Sequence, residues 1–86
     1  MKQEAEFDHR DYFLDVGICI GAVRKKRGMT QEQLAEKANL SRGTISKVEA
    51  PHLVYPPSLE TLCRISDVLE VRPGDLLNKA YALSEE

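Results

Sequence analysis

Val16, Ile20 and Val23 recur at spacings of four and three along an otherwise mixed stretch, the period of a helix with one buried face. This stripe predicts a first helix over residues about 12–27, which Gly28 ends. Thr30 then opens a second helix as its N-cap, and Gln33 three residues later completes a capping box. Asn39 suits the left-handed position beyond that helix. Ser41 caps a third helix that reaches about Ala50. Residues 51–57 hold three prolines and read as a loop. Ser58 caps a fourth helix, with Leu59, Leu62, Cys63 and Leu69 as its apolar face. Pro73 suits the first turn of a fifth helix, with Asp75 near its positive end and Leu76, Leu77, Ala80 and Tyr81 turned inward. Alternating strand patterns are nearly absent and no repeat is found, so the fold class is all-α.

The junction of the second and third helices is the most informative stretch. Only Asn39, Leu40 and Ser41 separate them, with apolar residues at Leu34, Ala35, Ala38, Leu40, Ile45 and Val48. Two helices crossing steeply over so short a turn need a small residue at the crossing, here Ala35. They also need a plug inside the turn, Leu40, and two buried residues one turn apart, Ile45 and Val48. These are the requirements of a helix-turn-helix. With Ile45 and Val48 inside, Arg42, Ser46 and Lys47 point elsewhere. Arginine can contact guanine O6 and N7 with two hydrogen bonds, and lysine can reach the same atoms or a phosphate. Gly43 costs a helix about 1 kcal/mol relative to alanine; it either admits a close approach of DNA or is a glycine tolerated near a helix start.

Charge changes the picture only when it is mapped. The 86 residues carry a net charge of −2, which alone argues against a nucleic-acid partner. Residues 24–48, however, hold seven basic side chains (Arg24, Lys25, Lys26, Arg27, Lys37, Arg42 and Lys47) against Glu32 and Glu36. Both flanks are acidic. Screening confines each charge to about 8–10 Å at physiological salt, so a basic stripe can bind phosphates on an acidic chain.

The segment GMTQEQLAEKANLSRGTISKVE resembles the phage-repressor/Cro (Xre-like) family of helix-turn-helix transcriptional regulators. SLETLCRISDVLEVRPGDLL is similar to that family's fourth and fifth helices, so the resemblance runs from about Val16 to Leu77. It implies a five-helix, lambda-repressor-like DNA-binding domain whose third helix enters the major groove, usually as a dimer on a palindromic operator. It also implies that Gln31 holds a phosphate, that Ser41, Arg42, Gly43, Ser46 and Lys47 face DNA, and that Thr44 contacts the backbone. Arg24 and Glu49 match a family ion pair, a role that the planar guanidinium fork suits better than base reading. The loop over residues 50–57 is longer and more apolar than the family's usual polar loop. Leu53, Val54 and Tyr55 are expected to pack beneath it, the alternative being a subunit interface.

The implied organisation is an N-terminal extension over residues 1–15, the DNA-binding domain over 16–83 and a tail over 84–86. Ile18, Cys19 and Ala22 widen the apolar surface of the first helix. Phe7, Tyr12 and Phe13 could cover that surface, or it could serve a dimer. His9, His52, Cys19 and Cys63 lack metal-ligand spacing, and both cysteines are expected to be buried thiols. Asp8, Asp11 and Asp15 read as helix-start charges rather than a catalytic pair. No enzyme activity, cofactor or small-molecule ligand is indicated. No signal peptide or membrane span is recognised, so a cytoplasmic location is expected. The expected function is sequence-specific regulation of transcription by operator occupancy as a homodimer. The alternative is a protein-interaction module, such as an antitoxin that also controls its own transcription.

Overall fold

In the computed structural model, which describes residues 9–78, five helices follow one another: α1 (Arg10–Lys26), α2 (Gln31–Ala38), α3 (Arg42–Glu49), α4 (Leu59–Leu69) and α5 (Pro73–Leu76). There is no strand among the described residues. α1 begins two residues before the predicted start and runs unbroken to Lys26. Tyr12 in the first turn of α1 donates its hydroxyl to the carbonyl of Leu77 at 3.0 Å, which ties the start of α1 to the end of α5.

Local chemistry ends each helix where the sequence provides a cap. Gly28 takes φ +74°, and the amides of Gly28 and Met29 return to the carbonyls of Lys25 and Arg24. These two bonds close the last turn of α1. Thr30 and Gln33 exchange side-chain and backbone hydrogen bonds at 3.0 and 2.9 Å, so the capping box forms. Asn39 ends α2 at φ 59°, and Leu40 N–H closes on Ala35 C=O. Ser41 and Ser58 cap α3 and α4 through the amides of Thr44 and Thr61. α4 ends on Glu70 at φ 61°, and the carbonyl of its last residue, Leu69, accepts from Arg27 Nε at 2.8 Å.

Val16, Cys19, Ile20 and Val23 of α1 meet Leu34 and Ala35 of α2, Ile45 and Val48 of α3, Leu62, Ile65 and Leu69 of α4, and Leu76 of α5 in one core. The helix-turn-helix residues fall as anticipated, with Leu40 half-buried as the plug. α4 is turned from its expected orientation. Leu59 is 79% exposed and Cys63 is on the surface, while Ile65 and Ser66 are buried in their place. The buried stripe is therefore Leu62, Ile65, Ser66 and Leu69, a more regular helical period than the expected one. Ser66 tolerates burial because its hydroxyl donates to Cys63 C=O at 2.9 Å, one turn back. Cys19 is buried as expected. In α5, Leu76 is buried and Leu77 is exposed, because the helix stops at Leu76. Ala80, Tyr81, Phe7 and Asp8 lie outside the described residues.

The loop before α4 also departs from expectation. Leu53, Val54 and Tyr55 are each about 40% exposed instead of tucked beneath it. Pro51, Pro56 and Pro57 fix φ on both sides and hold the segment across the surface, without a return to the core.

Candidate nucleic-acid interface

α3 separates its two faces sharply. Ile45 is fully buried and Val48 nearly so, whereas Ser41, Arg42, Gly43, Ser46 and Lys47 are exposed and Thr44 is half-buried. Arg42 and Ser46 stand one turn apart on one ridge, and Gly43 and Lys47 on the next. Ser41 spends its oxygen on the Thr44 amide and sits 2.9 Å from the Thr44 hydroxyl, so these two residues build the helix start as well as border the face. A Cβ on Gly43 would meet only Ser41 Oγ, at 3.8 Å. The described chain therefore has room for a side chain at this position. Lys47 Nζ lies 5.5 Å from the centroid of the Tyr55 ring, within cation–π range. No spacing rule pointed to Tyr55; its aromatic character in a proline-bounded loop was the only signal.

Behind α3, Glu49 gathers three elements. Arg24 Nε donates to Glu49 Oε2 at 2.7 Å and Arg24 Nη2 to Oε1 at 2.9 Å, a two-pronged ion pair with both side chains under 10% exposed. Arg24 Nη1 donates to the Met29 carbonyl at 2.6 Å, so the guanidinium also braces the turn after α1. The hydrogen bond and charge of Glu49 raise the pKa of Arg24 against the opposing effect of burial. Arg24 is thus held charged, and it is placed to orient a carboxylate rather than to reach a base. Gln31 Nε2 donates to the same Glu49 Oε1 at 3.0 Å. Gln31 is half-buried at the start of α2, linked to the end of α3, and one of its amide hydrogens is already committed. This link was not anticipated; a glutamine eighteen residues from its partner leaves no local signature.

α1 approaches α3 closely because Gly17 and Gly21 face it. A Cβ at Gly17 would fall on the carbonyl oxygen of Val48, and one at Gly21 would stand 3.2 Å from Glu49 Oε1. Lys25, Lys26 and Lys37 are exposed at the ends of α1 and α2. No group of three histidine, cysteine or acidic side chains could hold a metal ion among the described residues. No described helix is long and apolar enough to cross a membrane.

A family model described as helix-turn-helix matches residues 20–76. The chain is 40% identical over 73 residues to the immunity repressor protein of Bacillus phage phi105, covering 85% of this chain and 49% of the repressor. It is 36% identical over 64 residues to the HTH-type transcriptional regulator SinR of Bacillus licheniformis, covering 74% of this chain and 57% of SinR. The chain thus spans about half the length of these relatives. Among solved structures, SinR in complex with DNA superposes with a TM-score of 0.67 at 33% identity, over 73% of this chain and 98% of that one. The clp gene regulator ClgR of Corynebacterium glutamicum gives a TM-score of 0.72 at 25% identity, over 84% and 78% of the two chains. With five helices, a capped turn between α2 and α3 and these likenesses, the chain belongs to the helix-turn-helix family of the phage-repressor (Xre-like) type.

Proposed function

We propose that this chain binds double-stranded DNA and regulates transcription by occupying an operator, with no catalytic step, in the cytoplasm. The observation that carries the reading is the division of α3: its apolar residues are sealed in the core, while Arg42, Ser46 and Lys47 stand outward within a basic stretch. Similar proteins add support, since one is named an immunity repressor and another is seen in complex with DNA. In this reading α3 lies in the major groove. Arg42 reads a guanine edge, and Lys47 reaches a base or a phosphate. Ser41 and Ser46 offer hydroxyls, and Thr44 supports the backbone contact. Gly43 lets the groove wall come close. Gln31 turns its second amide hydrogen to a phosphate, with the first fixed by Glu49.

Selection from random duplexes should yield a preferred site, and Arg42→Ala should then lower affinity for it about tenfold while relaxing preference at one position. Lys26→Ala should weaken all sequences alike and reduce the salt slope by about one contact. Binding to the selected site and a single-base variant, at two salt concentrations, separates the two effects. An equal loss on every sequence for Arg42→Ala would remove α3 as a direct reader and favour a protein-interaction module.

A single small module covers one half-site, so the reading includes a homodimer on a palindrome, with half-sites about one helical turn apart. Sedimentation should find two chains on each saturated palindromic duplex. One chain per duplex would overturn the dimer.

A further inference from the structure

We infer that Tyr55 is a positioning residue for DNA recognition, holding the Lys47 ammonium at the edge of the reading face so that the loop before α4 acts as part of the interface. The inference rests on the DNA-binding reading above and adds to it a residue outside the helix-turn-helix.

Lys47 is an exposed residue in the last turn of α3, on a flexible four-carbon stem. Left to itself such a side chain samples many rotamers and loses that freedom on meeting a phosphate or base. Here its Nζ lies 5.5 Å from the centre of the Tyr55 ring, whose face attracts a cation. The ring leaves the charge intact and takes away only part of the motion. Tyr55 can serve this way because its own backbone is restrained. Pro56 and Pro57 follow it directly, and the residue before a proline is confined to extended conformations. At the other end Pro51 fixes the chain, and Leu53 N–H closes a turn on Ala50 C=O. The loop is therefore a short strut rising from the end of α3 and returning beside Lys47. This also accounts for the exposure of Tyr55, whose ring is turned to a cation on the surface and not to the core.

The test uses the whole chain and the duplex selected from random sequence. In the free protein, ring current should shift the ε-methylene protons of Lys47 upfield. Tyr55→Leu should abolish the shift and Tyr55→Phe should keep it. Tyr55→Leu should also lower affinity for the selected duplex about threefold, with Tyr55→Phe restoring it and the melting temperature unchanged in both. In a Lys47→Ala background Tyr55→Leu should have no further effect. A Lys47 shift that ignores the substitution would overturn the contact, and unchanged affinity would overturn the positioning role. A loss that persists in the Lys47→Ala background would make Tyr55 a direct DNA contact and likewise end the inference. If the wild-type chain selects no duplex, the DNA-binding reading itself fails, which is a distinct result from wild type and Tyr55→Leu binding equally well.

Discussion

Glu49→Ala is expected to destabilise the domain by about 3 kcal/mol, a fall of roughly 12–24 °C in melting temperature for a chain of this size. The size of the effect follows from what is left behind. Arg24 and Glu49 have side chains only 9% and 7% exposed, so removing the carboxylate strands a charged guanidinium with little water to replace it. Arg24 would keep its bond to the Met29 carbonyl and lose the other two, and Gln31 would lose its acceptor. A base whose pKa is raised by folding contributes stability that is fully present below its unfolded value and is lost only as pH rises through the folded one. For Arg24, with an arginine's already high pKa raised further, that window lies far above neutrality. The difference between variants should accordingly hold across neutral pH. Glu36→Ala, at an exposed position of α2, should change stability by less than about 0.5 kcal/mol. Melting curves for the two variants check this, and coincident curves would show that the pair contributes nothing beyond a surface charge.

Gly17→Ala should cost about 2 kcal/mol, although alanine is the better helix former. The intrinsic preference alone would stabilise α1 by roughly 1 kcal/mol. Against it, the new methyl would fall on the backbone carbonyl of Val48, with the Val48 carbon at 3.2 Å and Glu49 Cα at 3.5 Å. Backbone cannot rotate aside as a side chain can, so α1 and α3 must move apart. Overpacking of this kind costs about 1–3 kcal/mol, occasionally more, and a backbone obstacle belongs at the upper end. Gly21→Ala meets the Glu49 carboxylate instead, at 3.2 Å, and should lose less because that group can shift. Gly74→Ala meets nothing within 4 Å and should be neutral or slightly stabilising. Denaturant titration of the three variants should return that order. A Gly17→Ala protein as stable as wild type would mean that the two helices do not approach so closely in solution.

The parts of this architecture that were legible in the sequence are those set by neighbours along the chain. Thr30 with Gln33, Ser41, Asn39 and Ser58 fix helix ends within three or four residues of themselves, and each forms the cap its chemistry suggests. The helix-turn-helix was legible for the same reason, since its constraints all fall between Leu34 and Val48. α4 was harder because its buried stripe includes a serine. Hydropathy placed Leu59 and Cys63 inside, and only the return bond from Ser66 to Cys63 C=O makes the other orientation possible. Glu70 in the left-handed region carried no signal either, as glutamate is not a residue that favours it. Beyond the Arg24–Glu49 pair that the family resemblance supplied, contacts that join distant segments were out of reach: Gln31 to Glu49, Arg27 to Leu69 C=O and Tyr12 to Leu77 C=O. Their geometry depends on how whole helices cross, which no local pattern encodes.

The outward residues of α3 take almost no part in holding the domain together. Ile45 and Val48 anchor the helix from within and Glu49 locks its end, while Arg42, Gly43 and Ser46 carry no such duty. Under the proposed function, the vocabulary a copy of this domain recognises can therefore change by substitution at those positions with no compensating change elsewhere. Duplicated genes could part ways in their targets while sharing an identical interior. Transplanting the outer residues of another family member onto this α3 would carry its preference along and leave the host's stability nearly untouched. Lys47 is the exception, since its exchange would also leave Tyr55 without a cation to hold.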